Sequence, residues 1–193
     1  MWNSIVPGVG ENFYNFSLWF LAYSMLGWFV ESVYMSFCNK KITNRGFIHG
    51  PICPIYGIGG IFVHTILQNF DGQMLSLFVL GSILATLVEF MTARVMIRLF
   101  GCLWWDYSNK PFNYKGIICL ESCVAWGLYT VIEFAFLKRI VFMIISVIPK
   151  NVGKIVVFSA LTYYVLDFTI SAIKVHKGEI KTEENNVIQI KSN

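Results

Sequence analysis

The chain has 193 residues, of which 56% are hydrophobic and 13% are charged, and its mean hydropathy is +0.61. A soluble globular domain carries about 25% charged residues, so this composition excludes an ordinary soluble domain and predicts an integral membrane protein. We interpret the net charge of +4 as membrane topology and attraction to anionic lipid headgroups, not as nucleic-acid binding.

Five apolar segments are predicted to cross the membrane, because about 20 apolar residues span the hydrocarbon core. They cover residues 13–38, 48–70, 74–100, 116–136 and 155–175. The apolar run at 140–148 is too short to cross, so we expect an interfacial helix within 138–154; the alternative is a sixth crossing, which would change the side of the C-terminus. The predicted fold class is an all-α, polytopic integral membrane helix bundle. Residues 1–175 form a single transmembrane domain in this prediction, and 176–193 form a polar, disordered cytoplasmic tail.

The basic residues predict the orientation of the bundle. With the N-terminus outside, eleven lysines and arginines fall on the cytoplasmic side and four fall outside. The loops near Lys40 and Trp104 are then cytoplasmic, and the turn at Asp71 is extracellular.

The segment 44–57 is neither an ordinary polar loop nor a clean apolar helix. Pro51 and Pro54 each remove a backbone hydrogen-bond donor. A helix break at membrane depth is typical of transporter binding sites, since freed backbone groups are tolerated there only beside a cavity or another protein segment. The segment therefore predicts one wall of a functional pocket; the alternative is a tight helix-entry turn with structural prolines. Its side chains that can bind anions, carry protons or donate hydrogen bonds are Asn44, Arg45, His49, Cys53 and Tyr56.

Carboxylates within the predicted spans supply the other half of this pocket. A charged residue inside a span costs about 2.5–3.5 kcal/mol on insertion scales, so several such residues should face one another or water. The alternative is that Glu31 and Glu89 are neutralised by arginines as structural ion pairs. Glu133, Asp167 and His64 are expected to be structural contact groups. The acidic and loop residues predicted to complete the pocket are Glu31, Glu89, Asp106, Tyr107, Asn113 and Glu121.

An internal repeat is a further prediction. Val30-Glu31 in the first span corresponds to Val88-Glu89 in the third, and Tyr56-Gly57 corresponds to Trp126-Gly127. Between them, Phe47-x-x-Gly50-x-x-Cys53 is matched by Phe112-x-x-x-Gly116-x-x-Cys119. Two hairpins entering from the same side would form a parallel repeat, followed by a C-terminal helix. The alternative is chance, because motifs this short recur without meaning.

Several motifs resemble a known family, the type IV ABC-transporter permeases called CmpB-like, which are common in Firmicutes. They are Asn44-Arg45-Gly46-Phe47, Gly50-Pro51, Cys53-Pro54-Ile55-Tyr56-Gly57, Trp104-Trp105-Asp106-Tyr107-Ser108, Pro111-Phe112-Asn113, Gly116, Cys119-Leu120 and Trp126-Gly127. The resemblance covers about residues 13–137. It implies a permease in a bacterial plasma membrane.

The predicted function is therefore a permease subunit of an ABC-type transporter. The sequence contains no G-x-x-x-x-G-K-[ST] motif, so an ATP-binding subunit would be separate. Five spans are few for a pore, so a homodimer or a partner permease is implied, and membrane lipid is an expected partner.

Two alternatives to transport stay open. One is an intramembrane enzyme acting on a lipid or isoprenoid headgroup, with His49 and the carboxylates as acid–base or metal groups and Arg45 as a phosphate clamp. The other is a non-catalytic assembly subunit. No hydrolase signature occurs and the five cysteines form no C-x-x-C pair, so the sequence favours a non-enzymatic protein without a cofactor or metal.

Overall fold

The computed structural model describes residues 9–44, 47–177 and 188–189. The all-α class is confirmed. The helices are α1 (Val9–Asn39), α2 (Pro54–Leu67), α3 (Met74–Phe100), α4 (Leu120–Ile132), α5 (Lys138–Val147) and α6 (Lys150–His176), with a 3-10 turn at Gln68–Phe70 and a π-helical segment at Glu133–Leu137. Four two-residue strands are β1 (Cys102–Leu103), β2 (Asn113–Tyr114), β3 (Ile118–Cys119) and β4 (Ile188–Gln189).

Within the described residues, three helices are long and apolar enough to cross a membrane. They are the Phe13–Cys38 part of α1, the whole of α3, and the whole of α6. By length and composition, the chain therefore has several candidate membrane-spanning helices. The count of five crossings stays a prediction.

The second and fourth predicted spans begin later in the structure than in the prediction. α2 begins only at Pro54, because proline is tolerated in the first turn of a helix but not in its interior. Its 14 residues extend about 21 Å at 1.5 Å per residue, whereas the hydrocarbon core is about 30 Å thick. α4 begins only at Leu120, because the residues before it form a β-hairpin instead of helix, and it continues directly through the π-helical segment into α5.

The stretch 138–154, for which an interfacial helix is predicted, contains α5 (Lys138–Val147), and the interfacial position of this helix stays a prediction. α5 follows the π-helical segment directly, and α6 already begins at Lys150. Pro149 separates the two helices, since the residue before a proline is disfavoured in the helical conformation.

The chain forms two compact units. Unit 1 contains residues 1–61 and 138–169, and unit 2 contains 62–137 and 170–193, in each case for the residues that the structure describes. The prediction of a single transmembrane domain over 1–175 remains a prediction.

Unit 1 packs α1 and α6 around the loop that precedes α2. Ile48 and Ile52 from this loop are buried in one apolar cluster with Leu18, Leu21 and Val157. Burial of the two isoleucines anchors the loop, so the polar side chains between and around them have defined positions.

Unit 2 packs α3 against α4 and the loop that joins them. Val63, Leu67, Leu77 and Phe134 form one buried cluster. A second cluster of Ala93, Leu103 and Ile117 fixes the α3–α4 loop against the end of α3.

The α3–α4 loop contains an antiparallel hairpin in which Asn113 pairs with Cys119 and Tyr114 with Ile118. Gly116 in its turn has φ +69°, and an added Cβ would lie 2.8 Å from Asp106 Oδ1. Glycine is therefore required there both by the left-handed backbone and by the close packing.

Strand β1 pairs antiparallel with β4, with Cys102 opposite Gln189 and Leu103 opposite Ile188. The predicted disorder of the tail falls on residues that lie mostly outside the described part of the chain.

Candidate polar sites

The predicted pocket residues fall into two groups, one in each unit. Unit 1 holds Glu31, Asn44, His49, Cys53 and Tyr56, whereas unit 2 holds Glu89, Asp106, Tyr107, Asn113 and Glu121. Arg45 lies outside the described residues.

In unit 1, Tyr56 on α2 donates a hydrogen bond from its hydroxyl to Glu31 Oε2 on α1, at 3.0 Å. The Tyr56 ring packs directly on Gly27, one turn before Glu31, where an added Cβ would collide with the ring. The absence of a side chain at Gly27 therefore allows Tyr56 to reach the carboxylate.

Asn44 fastens the loop before α2 to α1. Its Oδ1 accepts a hydrogen bond from Trp28 Nε1 at 2.6 Å, and its Nδ2 donates to the His49 carbonyl at 2.8 Å. The backbone N–H of Cys53 donates to the Ser24 carbonyl on α1 at 3.1 Å. Asn44 and Cys53 thus position the loop.

His49 forms a pair with Asp167 of α6. The distance from His49 Nδ1 to Asp167 Oδ1 is 2.9 Å, and the side chains are 57% and 8% exposed, respectively. The backbone N–H of Gly50 donates to Asp167 Oδ2 at 2.8 Å. From the sequence, only a structural role was expected for Asp167. The available signal was that a carboxylate in an apolar helix needs a partner, but the sequence does not indicate which residue supplies it.

In unit 2, Glu89 is the most deeply placed of the predicted carboxylates, with 3% of its surface exposed. Tyr107 donates from its hydroxyl to Glu89 Oε1 at 2.9 Å. Oε2 accepts from Trp126 Nε1 at 3.0 Å and from Ser122 Oγ at 3.3 Å. Both oxygens of this buried carboxyl group are therefore hydrogen-bonded, as buried polar groups require.

The start of α4 and the loop before it place these donors. Cys119 caps α4, and its Sγ accepts from the Ser122 backbone N–H at 3.3 Å. Tyr107 is held by its backbone N–H, which donates to the Gly116 carbonyl at 2.9 Å. Ser122 and Trp126 lie one helical turn apart, so they share one face of α4. Ordinary packing residues have the same spacing, and for this reason the two were not identified as site residues from sequence.

The remaining predicted residues of unit 2 shape the loop. Asp106 Oδ1 accepts from the Ser108 backbone N–H at 2.8 Å. Asn113 Nδ2 donates to the carbonyl of Lys110 at 2.8 Å, and its Oδ1 accepts from the Gly116 N–H at 3.1 Å. Glu121 pairs with Lys110 at 2.9 Å, with both side chains about half exposed. An exposed pair of this kind stabilises a protein by about 0–1 kcal/mol.

A second buried pair in unit 2 joins His64 to Glu133. Their Nδ1 and Oε1 atoms lie 3.0 Å apart, and each side chain is 9% exposed. The His64 ring also stacks on Phe134, with centroids 5.0 Å apart. Glu133 opens the π-helical segment, a local irregularity that is frequent at functional sites.

The same type of packing contact occurs within each unit. In each unit, a glycine that directly follows an aromatic residue packs on a Phe and a Ser of the preceding long helix. A Cβ atom at this glycine would collide with those two side chains. In unit 1 these residues are Gly57, Phe20 and Ser24, and in unit 2 they are Gly127, Phe78 and Ser82. The Phe–Ser–Glu spacing along the helix is the same in both units, ending at Glu31 and at Glu89.

A family model matches residues 18–172 of the chain. The match extends beyond residue 137, where the resemblance found from sequence motifs ends, and it includes both polar sites. No curated protein and no solved structure matches significantly. Because the match covers more than half of the chain, the chain belongs to the family described as "Putative ABC-transporter type IV".

Proposed function

We propose that this protein is a permease subunit of an ABC-type transporter in a bacterial plasma membrane. The observation that carries the proposal is the family match over residues 18–172. The three long apolar helices support it, since they suit a membrane component. No phosphate-binding loop sequence is present in the chain, so ATP hydrolysis would come from a separate ATP-binding subunit.

Within this function, the carboxyl groups of Glu31 and Glu89 handle the transported molecule at the cytoplasmic side. Each lies in a candidate membrane span, where an ionisable side chain costs free energy. Each also has an aromatic hydrogen-bond donor to its Oε2 atom, Tyr56 and Trp126 respectively. Such fixed orientation suits a binding group better than a mobile surface carboxylate.

The same proposal includes a two-hairpin repeat followed by a C-terminal helix. The shared contacts of Gly57 and Gly127 favour a register without gaps, in which Cys53 corresponds to Cys123 rather than to Cys119. In that register residues 45–57 align with 115–127, and the matched pairs are Arg45 with Lys115, Gly46 with Gly116, Ile48 with Ile118, Cys53 with Cys123, Tyr56 with Trp126, and Gly57 with Gly127.

Affinity purification of the tagged protein from membranes in a mild detergent tests the permease function. We expect an ATP-binding subunit to co-purify, and the complex to hydrolyse ATP after reconstitution into lipid vesicles. Replacing the phosphate-binding lysine of that subunit should abolish hydrolysis. A protein that sustains its cellular function while no ATP-binding subunit accompanies it contradicts the proposal. Cross-linking of the same sample reports whether two copies of this chain are present, as expected from its few spans.

One observation favours a second candidate function, an enzyme acting on a lipid headgroup. A half-exposed histidine whose Nδ1 is held by a buried aspartate, as His49 is by Asp167, is an arrangement used for general bases. Incubating the isolated protein with phospholipid vesicles and measuring released or exchanged headgroups by mass spectrometry distinguishes the two. Turnover that is lost in His49→Ala would support the enzyme, and absence of turnover would contradict it.

A further inference from the structure

We propose that Glu89 and Tyr107 form a proton-binding pair, in which the carboxylate takes up a proton and the tyrosine hydroxyl reverses its hydrogen bond. The ligand of this site is a single proton. Proton uptake can be measured on the isolated protein, so this proposal does not depend on the permease function.

The two oxygens of Glu89 have partners of different chemistry. Oε2 accepts from the indole N–H of Trp126 at 3.0 Å, and an indole can only donate. Trp126 therefore keeps Oε2 as an acceptor in every protonation state. Oε2 also accepts from Ser122 Oγ at 3.3 Å, an oxygen that already accepts from the Cys119 backbone N–H. Oε1 lies 2.9 Å from the Tyr107 hydroxyl, which can donate or accept.

This difference decides where a proton is added. In the ionised state Tyr107 donates to Oε1. When a proton binds Oε1, the new O–H donates to Tyr107 Oη, and the tyrosine hydrogen turns away by rotation about its C–O bond. No covalent bond other than the carboxyl O–H forms or breaks, and both oxygens of Glu89 keep their hydrogen bonds to Tyr107 and Trp126.

Two opposing effects act on the charge of Glu89. Burial at 3% exposure disfavours the ionised form, whereas the donors Tyr107, Trp126 and Ser122 favour it. The hydrogen-bonding groups around Glu89 can therefore serve both the ionised and the protonated carboxyl group.

The elements around Glu89 carry other titratable or charged groups. In the α3–α4 loop and α4 these are Cys102, Asp106, Tyr107, Lys110, Tyr114, Lys115, Cys119, Glu121, Cys123 and Tyr129, and along α3 they are Arg94 and Arg98. Glu121 and Lys110 are paired with each other, and the Lys115 ammonium lies over the Tyr114 ring. Cys119 contacts Ser122 through its sulfur.

Infrared difference spectroscopy between alkaline and acidic buffer, on protein in lipid nanodiscs, tests the proposal. A carboxyl group that gains a proton in a dry site produces a C=O stretching band that shifts in heavy water. We expect such a band in the wild type and the loss of one component of it in Glu89→Gln. The matched control Glu121→Gln removes an exposed carboxylate from the same unit and should leave the buried bands unchanged.

The variant Tyr107→Phe tests whether the tyrosine hydroxyl takes part in proton binding or whether Glu89 binds the proton alone. Without the tyrosine oxygen, the protonated Oε1 no longer donates to Tyr107 Oη, so the Glu89 band should move to higher frequency. Identical difference spectra for the wild type and Glu89→Gln overturn the proposal, because Glu89 then keeps one protonation state. If Glu89→Gln does not fold, the spectrum of Tyr107→Phe decides alone: an unshifted band overturns the pairing, and a shifted band supports it.

Discussion

At the residue scale, Glu89→Gln distinguishes a functional from a structural carboxylate, because the surroundings of Glu89 accept glutamine as well as glutamate. In Glu89→Gln the amide oxygen can accept from Trp126, and the amide nitrogen can donate to Tyr107. We expect the free energy of unfolding to change by less than about 1 kcal/mol, while complementation of a deletion strain is lost. Thermal unfolding in detergent and the growth assay measure the two effects. Glu89→Leu is the matched variant: it leaves Trp126 without its acceptor, so both stability and growth should fall. Equal losses of stability and growth in Glu89→Gln would indicate a structural carboxylate.

Asp167 makes a different prediction at the same scale, because it holds His49 and Gly50 with two oxygens. In Asp167→Asn only one of these acceptors remains, and the charged partner is lost. We expect the protein to be destabilised by about 1.5–3 kcal/mol, the range for hydrogen bonds to charged groups. Thermal unfolding of this variant beside Asp71→Asn, which changes an exposed turn, measures the difference. Equal melting temperatures for the two variants would contradict the anchoring role.

At the element scale, the α3–α4 contact depends on Gly127, which lies on Phe78 and Ser82. In Gly127→Val the added carbons must separate the helices or displace Phe78, and overpacking of this kind costs about 1–3 kcal/mol. Trp126 would move with the helix, so complementation by the variant should also be impaired. The matched control is Ala125→Val, which adds carbons at an exposed position of α4. A melting temperature of Gly127→Val equal to that of this control would show that the close approach is unnecessary.

At the scale of the whole molecule, topology is the main prediction that the fold leaves untested. The bias of basic residues puts the turn at Asp71 outside and the loop at Lys41 inside. In a background with Cys38 replaced by serine, Asp71→Cys should react with an impermeant maleimide added to whole cells, and Lys41→Cys should not. Both should react after the membrane is permeabilised. The reverse pattern would put Glu31 and its loop on the outer side, and the proposed cytoplasmic role would be wrong.

The sequence alone determined the fold class and the family. Both follow from properties of the sequence itself: the apolar composition, the lengths of the apolar runs in α1, α3 and α6, and motifs such as Cys53-Pro54-Ile55-Tyr56-Gly57. Glu31 and Glu89 were also identified from sequence, because an ionisable residue in an apolar run is visible without knowing its partners.

Only the tertiary structure decided which side chains meet. The pairing of His49 with Asp167 joins residues that lie far apart in the chain, and hydropathy carries no information about such contacts. The starts of α2 and α4 were also misplaced by sequence reasoning, since apolarity continues across Ile52 and Ile117 while proline and hairpin geometry prevent helix there. The donors to Glu89 depend on the cap at Cys119 and on the turn at Gly116. Backbone conformation at these two residues, and not the apolar pattern, aims Trp126 and Tyr107 at the carboxylate.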